Sequence, residues 1–201
     1  MSSELEKWEQ RYRSEKNAPG VEPAPFLREL LPLLPRGRAL DVATGSGRNA
    51  MFLAAHGWRV TGIDFSRAAL EKAGALADQQ AVEASWATPP YALVSNSARL
   101  VLVQADLEQC APPENQFDVV ICFSYLQRSL FGALERSLRP GGVLVYETFT
   151  LAQLAFPDGP RKPEYLLRPG ELRSAFPSLE LLFYREFCAG KAVASLVGRK
   201  R

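Results

Sequence analysis

The chain has 201 residues, 47% of them hydrophobic, which is enough for one soluble domain with a sizeable core. With 24 lysines and arginines against 22 acids the net charge is +2, so composition gives no electrostatic case for nucleic acid. The three cysteines, Cys110, Cys122 and Cys188, have no CxxC spacing and no neighbouring histidine, which argues against a disulfide framework and against a metal site.

No apolar run approaches the roughly twenty residues of a membrane span. The N-terminus is charged from Glu4 onward and shows no apolar signal region, so the expected location is cytoplasmic, with no membrane partner.

In chain order, Ser3–Lys16 is expected to form an amphipathic helix with Trp8 and Tyr12 four apart on one face. Asn17–Pro25, with Pro19, Gly20, Pro23 and Pro25, reads as a linker. Phe26–Leu34 is a short apolar helix leading into Pro35-Arg36-Gly37.

The stretch from Arg38 to Ser66 organises the rest. Ala39, Leu40, Val42 and Ala43 read as a buried strand, and Thr44-Gly45-Ser46-Gly47 follows as a turn whose glycines lack the Cβ atoms that would block a close ligand. Asn49–His56 suits a helix stopped by Gly57, and Arg59–Asp64 is a second strand with an acid at its carboxyl end. Strand, glycine turn, helix, strand and acid together make a nucleoside-binding βαβ unit.

Gly45-Ser46-Gly47-Arg48-Asn49-Ala50 also fits a dinucleotide fingerprint, and Asp64 would hold ribose hydroxyls in either case. Three further features favour S-adenosylmethionine. Asp41 precedes the turn, where an acid can receive the ammonium of an amino-acid-bearing cofactor. Asp106 ends a later strand and can accept from an adenine amine. The chain closes in a hairpin and not in a second mononucleotide half.

Ser66 is a plausible N-cap for a helix from Arg67, with Leu70, Ala73, Leu76 and Ala77 facing inward. Asp78–Ala98 is longer than a crossover needs, and its expected place is the far edge of the sheet, away from chemistry. Arg99–Asp106 and Phe117–Phe123 are the third and fourth strands, the latter a near-continuous apolar run as a doubly covered parallel strand requires. A helix over Leu126–Leu138, the turn Arg139-Pro140-Gly141-Gly142 and a fifth strand, Val143–Phe149, follow. Thr150–Arg168 is a proline-rich loop, Pro169–Phe176 a short helix, and Leu181–Phe187 with Ala192–Val197 the closing hairpin. The fold class is α/β: a doubly wound, mostly parallel seven-stranded sheet with helices on both faces and a C-terminal antiparallel hairpin.

Asp41-Val42-Ala43-Thr44-Gly45-Ser46-Gly47 resembles the first motif of class I S-adenosylmethionine-dependent methyltransferases. Gly47-Arg48-Asn49-Ala50 followed by Phe52-Leu53-Ala54 is similar to the tellurite-resistance and thiopurine methyltransferase branch. Gly62-Ile63-Asp64-Phe65-Ser66, Gln104-Ala105-Asp106-Leu107 and Leu138-Arg139-Pro140-Gly141-Gly142 match later family motifs in order. The resemblance implies a Rossmann-like methyltransferase fold spanning 1–201 as one domain. In it the helices of 1–37 cap the cofactor, 38–150 form the cofactor core, and 151–201 supply a lid loop and the hairpin. It also implies that Trp8 and Tyr12 cover the cofactor, where the plainer reading is a helix docking an aromatic pair.

Ligands of open α/β sheets bind outside the carboxyl ends of the strands. That edge collects Thr44–Asn49, Asp64-Phe65, Asp106-Leu107, Cys122–Arg128 and Glu147–Arg168. Phe65 and Leu107 can sandwich adenine or simply pack in the core. Cys122 and Phe123 end the fourth strand beside the cofactor, and Phe123 and Tyr125 can face the sulfonium, since aromatic faces attract cations. Tyr125, Arg128, Glu147 and Arg168 are the candidate acceptor contacts. Against this, Arg128 also reads as a solvated helix-start residue and Glu147 as a structural acceptor. The sole histidine, His56, reads as a helix-end residue and not a base. Three functions stay open: methyl transfer to a small-molecule nucleophile, possible classes being thiols and soft-element oxyanions; an NAD(P)-dependent oxidoreductase; and a non-catalytic S-adenosylmethionine-binding module. The sequence leaves the oligomeric state undetermined.

Overall fold

The computed structural model describes residues 3–14, 20–87 and 98–201. They divide into two compact units, residues 1–111 and 112–201.

In the first unit, helix α1 (Ser3–Arg13) carries Glu4 and Glu6 in its first turn and Arg11 and Arg13 in its last, the polarity its dipole favours. Helix α2 (Pro25–Leu30) starts on a proline, whose missing N–H is no loss there, and buries Phe26 and Leu27. Strands β1 (Arg38–Val42) and β2 (Arg59–Asp64) flank α3 (Arg48–Ala55); α4 (Arg67–Gln79), β3 (Ala84–Ala87) and β4 (Leu100–Gln104) follow. The strands run parallel in the order β3-β4-β2-β1. Ala39, Leu40, Val42, Ile63, Leu100, Leu102 and Val103 are fully buried, so these strands read as apolar runs without alternation. Ser66 caps α4 by accepting from the Ala69 amide at 3.1 Å, and Leu70, Ala73, Leu76 and Ala77 face the core as expected.

Among the described residues the strand count is eight and not seven, because Ala84–Ala87 inside the long crossover pairs with β4. Its four residues are mostly half-exposed and show no apolar alternation, so no strand signal stood out. This also corrects the placement of the crossover. β3 is parallel, and Ala87 lies level with Val103, one residue short of the Asp64–Gln104 pair, so the chain reaches the carboxyl edge there. Pro89 and Pro90 lie outside the described residues.

In the second unit, β5 (Phe117–Phe123) pairs in parallel with β6 (Leu138–Phe149), and the register jumps between Phe117 and Val119. Between them the expected single helix is a 3₁₀ turn, Arg128–Leu130, and a seven-residue α5 (Phe131–Ser137). Helix α6 (Glu171–Ser174) precedes the hairpin of β7 (Leu179–Ala189) and β8 (Lys191–Lys200), longer at both ends than the apolar pattern suggested. The antiparallel pairs complete the order β5-β6-β8-β7. Among the described residues no helix is long and apolar enough to cross a membrane.

The proline-rich stretch 150–168 is only partly irregular. It holds 3₁₀ turns at Leu151–Ala155 and Pro163–Tyr165, and its ends meet through a bridge between Thr150 and Leu167. Gln153, only 2% exposed, pins its base. The Gln153 side-chain oxygen Oε1 accepts from the Ala192 backbone amide at 2.7 Å and its Nε2 donates to the Asp158 carbonyl at 2.8 Å. Gln153→Ala strips the fully buried Ala192 N–H of its acceptor. The expected cost is about 1–3 kcal/mol, read as a fall in Tm of roughly 2–4 °C per kcal/mol. An unchanged melting curve would refute this pinning role.

Candidate functional site

The glycine turn is built by two backbone constraints. Beyond β1, Ala43 takes a left-handed conformation (φ 52°), a strained choice for a residue with a side chain. The Thr44 amide then donates to Ile63 O at 2.9 Å, and the Gly47 amide closes the turn onto Thr44 O at 3.0 Å. A Cβ on Gly47 (φ 80°) would lie 2.7 Å from the Ala73 Cβ, and one on Gly45 (φ 58°) would lie 2.6 Å from the Tyr12 hydroxyl. Tyr12 of α1 thus rests directly on the turn. Its ring stacks with Trp8 at 6.0 Å between centroids, and the Arg11 guanidinium covers Trp8 at 4.9 Å.

Two buried carboxylates flank the turn. Asp64 accepts from the Gly45 amide at 2.8 Å through one oxygen and from the Ser66 amide at 2.9 Å through the other. Asp41 accepts from the Thr44 hydroxyl at 2.6 Å. Loss of water pushes Asp41 up to about 7 and Asp64 up to about 6, against the lowering effect of their hydrogen bonds. Burial, then the Asp64 charge, also raises Tyr12 well above the usual phenol range. Arg48, at the start of α3, is the cation that favours ionised Asp41. Ser46 and Phe65 are half-buried beside them. Asn49 has a structural partner: its side-chain oxygen accepts from the Ala24 amide at 2.9 Å and so ties α3 to the entry of α2.

Asp106 lies two residues beyond β4 and caps its own turn, accepting from the Glu108 amide at 2.9 Å and Gln109 Nε2 at 3.1 Å. Leu107 beside it is 8% exposed. His56 ends α3, where its Nδ1 lies 2.8 Å from Phe52 O and its own carbonyl accepts from Arg36.

In the second unit, Ser124 follows β5 in a left-handed conformation (φ 57°). The carbonyl of half-buried Tyr125 accepts from the Tyr146 hydroxyl at 2.9 Å and, more weakly, from the Cys122 thiol at 3.8 Å. The Tyr125 hydroxyl itself donates to Gln127 at 2.5 Å. Phe123 is 8% exposed.

Arg128 is a clamp. It donates from Nε and Nη2 to Glu171 at 2.5 and 3.0 Å, and also to the carbonyls of Glu164 and Leu166. These bonds hold the Glu171 carboxyl below its usual range, and Glu171 also accepts from the Arg168 amide at 2.8 Å. With four of its five donors so placed, Arg128 orders the 164–171 stretch. Glu147 accepts from the Ser195 hydroxyl at 2.7 Å and from Lys191 at 2.8 Å, the structural role its position at a strand end had also allowed.

The chain matches the family model described as "Methyltransferase domain" over residues 40–146, more than half its length, and so belongs to that family. It is 31% identical over 136 residues to a ubiquinone biosynthesis O-methyltransferase of Alkalilimnicola ehrlichii, covering 65% of this chain and 49% of that one. An S-adenosylmethionine-dependent methyltransferase of Mesorhizobium loti shares the fold, with a TM-score of 0.67, 20% identity, and coverage of 90% of this chain and 100% of that one. TehB of Haemophilus influenzae shares it too, with a TM-score of 0.68, 14% identity, and coverage of 98% and 67%. The chain spans about half the length of the curated relatives it matches, 47% and 49%. The cofactor is S-adenosylmethionine, and the residues present fit it: buried Asp41 and Asp64 beside a glycine turn, where Gly45 and Gly47 admit close neighbours because they lack Cβ, suit a ligand bearing an ammonium and ribose hydroxyls.

Sequence reasoning missed Glu9, Gln153, Tyr146 and Glu171. Glu9 alone left a signal, three residues before Tyr12 on the same helix face.

Two outcomes are expected. Asp64→Ala removes a charged acceptor worth about 1.5–3 kcal/mol, so calorimetry should show S-adenosylmethionine affinity falling roughly tenfold or more. Because the folded state holds protons on Asp41 and Asp64 more tightly than the unfolded chain, cofactor-free protein should lose stability as pH rises from the ordinary carboxylate value of 3.8 up to about 7. Urea melts at pH 5 and 7.5 should show this loss, and Asp41→Asn should remove much of it.

Proposed function

We propose that the chain, acting as one domain over 1–201, transfers the methyl group of S-adenosylmethionine to a small-molecule nucleophile that is already deprotonated. A thiolate or the oxyanion of a soft element fits. The observation that carries this reading is the place of the only histidine. His56 ends α3, eight residues from Arg48 beside the glycine turn, ~12 Å at a rise of about 1.5 Å per residue. A base at that end serves no acceptor at the turn. Glu147, the carboxylate at the end of β6, already accepts from Ser195 and Lys191.

S-adenosylmethionine brings a methyl group activated on a sulfonium, so the protein's task is alignment rather than proton removal. In this reading Asp41 takes the ammonium and Asp64 the ribose hydroxyls. Asp106, Phe65 and Leu107 hold the adenine, while Trp8 and Tyr12 exclude water. Phe123 and Tyr125 offer ring faces to the cation. Of the cations on the 150–168 segment, Arg161 donates to the Leu154 and Pro157 carbonyls and Lys162 pairs with Glu164 at 3.5 Å. The anion-binding role therefore falls to exposed Arg168. A cytoplasmic location and the absence of a nucleic-acid partner belong to the same reading. The relative named for ubiquinone biosynthesis supports a small-molecule acceptor class.

The test is a methyl-transfer panel of thiols, selenium and tellurium oxyanions, and a phenol, run on the wild type, His56→Gln and Arg168→Ala. Near-normal kcat is expected for His56→Gln. A KM raised roughly tenfold for the anionic acceptor is expected for Arg168→Ala, the loss of one charge-assisted contact. Preference for the phenol, or collapse of kcat in His56→Gln, would overturn the base-free reading. Cofactor binding without turnover of any acceptor would point to a non-catalytic module.

A further inference from the structure

We propose that Glu9 is a positioning residue that latches α1 onto the N-terminus of α4, and that this latch holds Tyr12 over the glycine turn and sets how long the cofactor stays bound. The inference rests on the S-adenosylmethionine reading of the turn.

Glu9 lies one residue after Trp8 and three before Tyr12, on the helix face turned to the unit. Its Oε1 accepts from the Ser66 hydroxyl at 3.1 Å and from the Ala68 amide at 3.3 Å, contacts 57 and 59 residues away in sequence. Ser66 is already the N-cap of α4, satisfying the Ala69 amide. Glu9 thus supplies a second cap from another helix, placing an anion where the open amides of a 13-residue helix favour one. Its Oε2 lies 3.2 Å from Arg13 Nη2, an ion pair without hydrogen-bond geometry, on a side chain 15% exposed.

The contacts close into a ring. Glu9 holds Ser66, the Ser66 amide donates to Asp64, Asp64 accepts from the Gly45 amide, and Gly45 lies under the hydroxyl of Tyr12, one turn along the helix from Glu9. Lifting α1 therefore means breaking the Glu9 bonds, and keeping them keeps Tyr12 down. A cap that merely stabilised α4 could come from any loop. This one comes from the helix that carries the aromatic cover.

The experiment compares wild type, Glu9→Ala and Glu9→Gln in two measurements. The first is the dissociation rate of S-adenosylhomocysteine by stopped-flow fluorescence. The second is hydrogen exchange of the cofactor-free protein. Glu9→Ala should speed dissociation roughly tenfold and raise exchange across Trp8–Arg13 while leaving β1 protected. Glu9→Gln keeps an acceptor oxygen and should restore most of the residence time. An unchanged dissociation rate in Glu9→Ala overturns the proposal, as does unchanged α1 exchange. If the wild type bound no S-adenosylhomocysteine, the cofactor reading and the claim about residence time would fall together, and exchange would report only on the contact between the helices.

Discussion

The first unit depends on one desolvated carboxylate. Asp64 uses both oxygens on backbone amides, Gly45 before it in space and Ser66 after it in sequence, and so joins the glycine turn to the start of α4. Burial makes its charge costly, and backbone amides, those of Ser66 and Gly45 first and Phe65 after them, offset part of that cost. Among the described residues no salt bridge engages this acid at the end of β2.

The second unit uses its polar side chains differently. Arg128 and Glu171, Glu147 with Ser195 and Lys191, and Gln153 with Ala192 each connect elements distant in sequence. Buried or half-buried groups of this kind must be satisfied within the protein. Most of the functional polarity expected of β5, β6 and the following segment is thereby committed to architecture. The proline-rich segment is held at both ends by backbone bonds between Leu151, Leu167 and Phe149, which makes it a braced element rather than a loose flap.

The cofactor half was legible in the sequence because its physics is local. A turn needing φ above zero needs glycine, an acid ending a strand sits a set distance along the chain, and a serine before Arg67 announces a cap; all three stand where the pattern put them. The roles of Asn49 and Arg128 were not legible, because each is decided by a partner far along the chain, Ala24 in one case and Glu171 in the other. β3 was missed for the opposite reason. A four-residue edge strand carries too little buried surface to mark its sequence, and its pairing is dictated by β4.

That short strand has a bearing on how the molecule behaves among other copies of itself. An uncovered β4 would present a row of apolar residues and open backbone groups to any passing chain. β3 closes this side with only four residues, and the Arg67 guanidinium lies 4.2 Å above the half-exposed ring of Trp86. A stub so short, with a cation seated on its one large apolar side chain, is a poor template for growth. Among the described residues the sheet ends here in a strand that offers a second copy little to pair with.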